Sequence, residues 1–267
     1  MSKISISVVI PCYNCSDTIQ VCVESVFVQS YPAYEVILIN DGSSDQTLER
    51  LYEIQEYYQS EHTKITVRTQ TNQGPSVARN EGINFSTGNW IAFLDSDDVW
   101  HKDKLLKQVE VLQMYPEALV IGGEKGKFAS ALSLEHVAKI NFAKLGFKNY
   151  FLTSSSMVLK EQLGEVRFNV HQKHSEDYRF FFDVLSLGGY GVCIFENLSC
   201  SISNKRDFGD SGLSGNIYKM QKGELSNYKY LYSKKLLTFS EYMFFCTFSN
   251  LKFVRRFLLS TLYNLKK

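Results

Sequence analysis

No apolar run in this 267-residue sequence reaches the ~18 to 20 residues that a membrane-crossing helix needs. The nearest candidates, 236–248 and 253–262, are broken by Glu241 and by Arg255 and Arg256. Net charge is nearly absent as well. The 29 Lys and Arg against 28 Asp and Glu leave +1, which gives no overall field for a nucleic-acid backbone, so no nucleic-acid partner is expected. Two phosphate-binding signatures are missing. Without GxGxxG after the first strand a dinucleotide fold is disfavoured, and without GxxxxGK[ST] so is a P-loop. The first residues lack a secretory pattern, because after Met1-Ser2-Lys3 the alternating ISISVVI reads as a strand. A cytoplasmic, reducing setting is therefore expected, and the six cysteines need not pair. Cys12 and Cys15 have CxxC spacing, but no second close pair accompanies them, which favours a structural or incidental role.

What is present is an α/β pattern. Ile4 to Ile10 is a β-branched run that reads as a strand buried on both faces. A helix with apolar Ile19, Val23, Val26 and Phe27 follows, then a strand from Tyr34 to Asn40 that runs into Asp41-Gly42-Ser43-Ser44-Asp45. A helix over 46–58, a short strand at 65–68, a helix opening at Gly74-Pro75 and a strand over 89–94 complete the first hundred residues. This alternation predicts a mostly parallel sheet flanked by helices, with ligands at the carboxyl ends of its strands. Further on, 102–114 reads as a helix, 118–122 as a strand, and 125–148 has only weak periodicity. A strand at 153–159, a helix from about Glu176 to Leu187 and a strand over 192–196 follow. After Tyr218 the chain is helical, aromatic and basic. The division expected is a domain over 1–217 and a helical extension over 218–267. That extension suits an anionic membrane surface, with docking on the main domain or a subunit interface in a homodimer as alternatives.

Four features carry chemistry. Asp95, Asp97 and Asp98 follow the buried IAFL within four residues, and such crowded carboxylates repel unless something compensates them. Mg2+ or Mn2+ is the economical solution, since either binds both carboxylate and phosphate oxygens; Asp97 is the expected ligand. Asp41 ends another strand, where its carboxylate can accept from a base or ribose. Arg79 can pair with the strand-end carboxylates or reach a diphosphate. His174-Ser175-Glu176-Asp177 opens a helix, and by itself Ser-Glu-Asp is an ordinary helix start; a carboxylate there, facing a cleft, can take the proton of an incoming hydroxyl, and its helix-terminal position is expected to keep it ionised.

Taken in order, SVVIPCYN (7–14), VILINDGSSDQT (36–47), NQGPSVARNEGI (72–83), WIAFLDSDDVW (90–100) and SEDYRFFFDVLSLG (175–188) resemble the family 2 glycosyltransferases, the inverting class with the GT-A nucleotide-diphospho-sugar transferase fold. The resemblance covers about the first 200 residues. It implies that Pro11, Tyr13 and Asn14 shape the nucleotide pocket, that Asp41 contacts the base, and that Arg79 lies near the phosphates. It further implies that Asp95 contacts ribose with Ser96 beside it, that Asp97 ligates the divalent ion, and that Asp177 is the general base with Glu176 supporting it. The donor would be a UDP- or dTDP-sugar. The acceptor would be a glycan or a polyprenyl-diphosphate-linked saccharide of the kind built into O-antigen or capsule. In one respect the sequence departs from the pattern: many members carry a histidine in the loop after the last core strand, and none occurs here after His174. Lys205, Arg206, Asp207 or Asp210 could stand in for it. The competing readings are a sugar-phosphate nucleotidyltransferase, whose glycine-rich start PCYNCSDT lacks, and a non-catalytic module that binds nucleotide sugar or glycan.

Overall fold

The computed structural model describes residues 3–58, 63–202 and 216–264, with the backbone alone from 259 onward. Strands β1 (Ile6–Cys12), β2 (Glu35–Asp41), β3 (Lys64–Gln70) and β4 (Trp90–Phe93) alternate with helices α1 (Ile19–Phe27), α2 (Thr47–Tyr58) and α3 (Pro75–Phe85). All four strands run parallel, in the order β3-β2-β1-β4. Their side chains alternate between two cores. Ile6, Val8, Ile10, Val36, Leu38 and Ala92 face one, whereas Val9, Ile37, Ile39, Ile91 and Phe93 face the other. A strand covered by helices on both faces has no solvated side to mark with polar residues, which is why β1 and β2 read as continuous apolar runs. Burial of each Val, Ile or Leu contributes roughly 1.5–3 kcal/mol, so the strand ends are anchored from both sides of the sheet.

Beyond β4 the chain forms β5 (Asp98–Trp100), α4 (Lys104–Met114), β6 (Ala118–Lys125), β7 (Val137–Ile140) and α5 (Phe142–Leu145). A 3-10 turn over Thr153–Ser155 leads to β8 (Met157–Leu159), α6 (Lys160–Leu163), α7 (Glu176–Leu185) and β9 (Tyr190–Ser201). The sheet continues from β4 through β8, β6 and β9 to β5, with β7 also on β9. Here the expectation of a mostly parallel sheet is corrected. Four strand pairings are parallel and four are antiparallel, so the sheet is mixed. The antiparallel pairs involve β5, β7 and β8, of three, four and three residues, too short to announce a direction through periodicity.

Two helices close the described chain, α8 (Ile217–Ser233) and α9 (Phe239–Asn264). Tyr228 and Leu231 of α8 and Phe245 of α9 are buried in the same core as Phe180, Phe181 and Phe182 of α7. The Tyr228 ring stacks on Phe245 with centroids 5.6 Å apart, and its hydroxyl donates to the Gly146 carbonyl at 2.9 Å. All six cysteines are free, and Cys12 and Cys15 are both buried.

Candidate active site

Because β1, β2, β3 and β4 are parallel, the loops after them gather along one sheet edge. The loops after β1 and β2 are tied together. The Asn14 amide donates to Ser43 Oγ at 3.1 Å and the Ser44 amide donates to Asn14 Oδ1 at 2.8 Å. Asn14 holds a left-handed backbone (φ 46), which asparagine tolerates better than most residues. The Ser16 amide meets Asp45 Oδ2 at 3.2 Å, and the Cys15 amide meets Thr47 Oγ1 at 2.8 Å. Pro11 is half-buried at the end of β1, while Tyr13 is 50% exposed on the same edge, a ring presented to solvent where a flat ligand could stack.

Asp41 is buried and holds the loop after β3. One carboxylate oxygen accepts from Gln70 Nε2 at 2.7 Å and the Gln73 amide at 2.9 Å; the other accepts from the Gly74 amide at 2.8 Å. A carboxylate offers about four acceptor positions, so one remains for a ligand donor. Gly74 takes φ 91, a conformation strained for any residue with a Cβ, and its turn brings Pro75 to the first position of α3.

The aspartates after β4 diverge, which corrects the expectation that three carboxylates are delivered together. Asp95 turns to Arg79, whose Nη2 lies 2.7 Å from Asp95 Oδ1. Burial opposes ionisation of Asp95, but the Arg79 charge and hydrogen bond, together with Lys125 and Ser154, hold its carboxyl below the usual range. Asp98 turns inward as β5 begins and is fully buried, with Lys125 Nζ 2.6 Å from Oδ1. Burial and the Asp95 charge push its pKa up to about 6 despite that partner. Asp97 alone is exposed, and among the described residues its carboxylate accepts no hydrogen bond and forms no ion pair. Protein cations thus compensate two of the three charges, and one carboxylate is left free. Ser96 is half-buried between Asp95 and Asp97.

Arg79 also reaches the start of α7. Its Nη1 lies 3.3 Å from Glu176 Oε1, so one fork joins residues 16 and 97 positions away in sequence. Arg79 is 5% exposed and its guanidinium lies 5.3 Å from the Phe168 ring centroid. Two carboxylates at separate nitrogens match the spread of a planar five-donor fork, whereas an ammonium presents its three donors from one compact nitrogen. Through this bridge Glu176 and Asp177 are fixed beside the strand-end edge.

Asp177 is half-buried and accepts from Asn149 Nδ2 at 3.0 Å. The expectation that its helix-terminal position keeps it ionised is corrected. Burial and the neighbouring Glu176 charge push its pKa up to about 7, outweighing the Tyr178 backbone amide and Arg79, which act in the opposite direction. Asn149, Lys125 and Ser154 carry no signal of their roles in sequence. Asn149 and Lys125 lie in or beside the aperiodic stretch, and Ser154, which accepts from the Asp95 amide at 3.2 Å, lies in a run of serines without individual signal.

Whether a divalent ion fits can be judged from the donor set. Among the described residues no three His, Cys, Asp or Glu side chains are grouped to hold one. Asp97 supplies a free, hard carboxylate, and Mg2+ is commonly held by one or two carboxylates plus substrate phosphates and water. A shell built from Asp97 and a diphosphate therefore fits; one that includes Asp98 does not. Lys205, Arg206, Asp207 and Asp210 lie outside the described residues.

Comparison with known proteins agrees with this layout. A family model, Glycosyl transferase family 2, matches residues 7–162, more than half of the chain. The amylovoran biosynthesis glycosyltransferase AmsB of Erwinia amylovora is 32% identical over 214 residues, covering 74% of this chain and 70% of AmsB. The UDP-Glc:alpha-D-GlcNAc-diphosphoundecaprenol beta-1,3-glucosyltransferase WfgD of Escherichia coli is 29% identical over 231 residues, covering 83% of this chain and 84% of WfgD. Among solved structures, S. aureus TarS 1–349 in complex with UDP-GlcNAc superimposes with a TM-score of 0.64 at 21% identity, covering 85% of this chain and 66% of that one. The mannosyltransferase PcManGT from Pyrobaculum calidifontis, in complex with GDP-Man and Mn2+, gives 0.66 at 16% identity, covering 87% of this chain and 65% of that one. At such identities the two structural likenesses establish the fold.

Proposed function

The chain belongs to glycosyl transferase family 2, and from that premise we propose that it is an inverting glycosyltransferase that moves a sugar from a nucleoside diphosphate to a hydroxyl of a lipid-linked saccharide, with Asp177 as general base. The observation that supports this most directly is the Arg79 bridge, which joins the edge where a nucleotide would sit to the helix start that carries Asp177. Pro11, Tyr13, Asn14 and Asp41 would bound the base, Asp95 and Ser96 the ribose, and Arg79 the phosphate side. Asp97 would hold Mn2+ or Mg2+. When bound, the ion neutralises charge that develops on the leaving diphosphate.

In the displacement, the acceptor oxygen bonds to the anomeric carbon as the bond from that carbon to the diphosphate oxygen breaks. The acceptor proton passes to the Asp177 carboxylate, and the configuration inverts. A base with pKa near 7 is matched to this task at neutral pH, where it is substantially deprotonated yet basic enough to accept. The likeness to WfgD, named for a UDP-Glc donor and a diphosphoundecaprenol acceptor, favours a UDP-sugar and a polyprenyl-diphosphate acceptor here.

An acceptor of that kind lies in a bilayer. No helix among the described residues is long and apolar enough to cross one. The outward face of α9 instead exposes Phe244, Leu251, Val254 and Leu258 beside Arg255, and α8 exposes Lys219, Lys222 and Lys229. That combination suits the surface of an anionic membrane. Lys252 and Arg256 are not part of it, since both pair with Glu224, at 2.9 and 3.5 Å. In the full chain, Leu251→Asn with Val254→Asn is expected to lower cosedimentation with phosphatidylglycerol vesicles severalfold. Undiminished binding would reject this contact.

The function is tested by a panel of UDP-, dTDP- and GDP-sugars scored by thermal stabilisation with Mn2+, followed by transfer assays with the best donor. Stabilisation by a UDP-sugar is expected. Asp97→Ala should lower donor affinity by about tenfold in Mn2+ and have little effect in its absence, since the carboxylate acts through the ion. An equal loss with and without Mn2+ would remove Asp97 from the ion's shell.

A further inference from the structure

The two residues ahead of α7, His174 and Ser175, are gripped by a helix that contributes nothing to the nucleotide edge. Ser175 takes φ 56 and ψ 28, the left-handed region that a serine occupies at a cost. Its carbonyl accepts from Asn227 Nδ2 of α8 at 2.9 Å and from Gln172 Nε2 at 3.2 Å. The same Gln172 nitrogen lies 2.9 Å from the His174 carbonyl and 2.8 Å from Asn227 Oδ1, so the two amides lock one another as well as the backbone. The Ser175 hydroxyl donates to the Met220 carbonyl of α8 at 3.2 Å.

The helix itself is shaped for this contact. Gly223 is interior to α8, where glycine is unfavourable relative to alanine. A Cβ there would lie 2.3 Å from the His174 carbonyl oxygen, a backbone atom that cannot swing aside. Asn227 is fully buried, and its amide is committed to the loop alone. A polar side chain in a core whose neighbours include Tyr228 and Leu231 is expensive unless each group is satisfied, and both of its groups are satisfied by the segment that leads into Asp177.

We propose that α8 is a positioning element for the base, with Asn227 holding Ser175 left-handed and Gly223 allowing the helix to come close enough to do so. This rests on the reading of Asp177 as the base. Neither residue touches substrate; both act on where the start of α7 points. The clamp also accounts for a left-handed residue directly before the helix: α7 can then begin at Glu176 with that side chain toward Arg79 and Asp177 toward Asn149.

The test uses the full chain and three variants. Asn227→Ala is expected to lower kcat by about 10- to 100-fold, the usual consequence of a small displacement of a reacting group, with the dissociation constant for UDP changed less than about twofold. Ser175→Gly, which makes the left-handed conformation free of strain, should restore kcat at least about threefold in the Asn227→Ala background. A role in packing alone would give no such rescue. Gly223→Ala should reproduce the kcat loss with UDP binding intact, and so provides a second reading should Asn227→Ala fold poorly. Unchanged kcat in both single variants overturns the inference, as does a parallel loss of UDP binding in both. Asp177→Asn run alongside separates the two ideas. If it retains full transfer, the base assignment fails. If it abolishes transfer while the α8 variants turn over normally, only the positioning role fails.

Discussion

Asp177→Asn is expected to lower the rate of transfer by roughly 10²- to 10⁴-fold, the range that general base catalysis contributes, while leaving the affinity for the nucleoside diphosphate nearly unchanged. Asparagine keeps the volume and one oxygen for Asn149 Nδ2, and Asp177 takes no part in the hydrogen bonds that shape the loops after β1, β2 and β3. The pH dependence follows from the same group. With the carboxyl raised to about 7, kcat/KM of the unmodified enzyme should climb about tenfold per unit below that pH and level off above it. Burial is the largest cause of this value; Glu176 and Asp95 raise it further, and the Tyr178 amide and Arg79 lower it.

Stability should move the other way. A free aspartate titrates near 3.9, so between about pH 4 and 7 the folded chain holds a proton that the unfolded chain has released. Below about pH 4 Asp177 is neutral in both states and costs nothing; the destabilisation grows between about pH 4 and 7 and is complete above about 7. Asp177→Asn removes that penalty; the full shift is worth about 4 kcal/mol, the partial exposure of Asp177 reduces this to on the order of 1 kcal/mol, and the variant should melt about 2–4 °C higher than the parent at pH 8. The difference should vanish below about pH 4. An inactive variant more stable than its parent is the signature of a desolvated functional group.

Arg79→Met is the other substitution with a large expected effect, and it acts through both structure and rate. It fills the buried space but takes from Asp95 and Glu176 the cation they share. Breaking a buried pair typically costs about 3–5 kcal/mol; Asp95 keeps 32% side-chain exposure, so about 3 kcal/mol is expected here. For a chain of this size that is a fall of about 6–12 °C in Tm. Arg79→Lys restores one charge but not the fork, because Asp95 and Glu176 engage different nitrogens. It should recover most of the stability and little of the transfer rate. Melting curves and steady-state rates on the two variants separate charge from geometry. A Tm for Arg79→Met within about 1 °C of the parent would mean that the bridge holds nothing together.

How far the sequence announces this site depends on what each residue packs against. The β-branched runs at β1 and β2 announce strands buried on both faces, and the residues that end them or follow β4, Asn14, Asp41 and Asp95, can be named as one edge from sequence alone. The fate of the three aspartates is hidden because it depends on partners far along the chain. Lys125, which neutralises Asp98, closes a strand 27 residues later, and nothing local marks Asp98 as turning inward. Asn149 directly follows a stretch with only weak periodicity, so its contact with Asp177 leaves no pattern. The ionisation of Asp177 is obscured for a related reason: its position at a helix start is visible in sequence, and the desolvation that overrides it is not.

The buried face of α8 shows the limit of hydrophobic patterning. Gln221, Glu224 and Asn227 occupy that face at helical spacing and are all buried. Each is satisfied, by Ser249 and Asn250, by Lys252 and Arg256, and by Gln172 and Ser175 respectively. A polar inner face looks like an outer one in composition, so the aromatic and basic character of the last fifty residues is legible while the contact with the base loop is not.

The central claim, a single displacement with one base and no protein nucleophile, is tested most directly by the anomeric configuration of the product. With an α-linked UDP-sugar as donor, the coupling constant of the new anomeric proton, read by NMR before any equilibration, should report a β-linkage. An α-linkage would require two displacements or a front-face route, and would contradict the role of Asp177 as the base in a single inverting step.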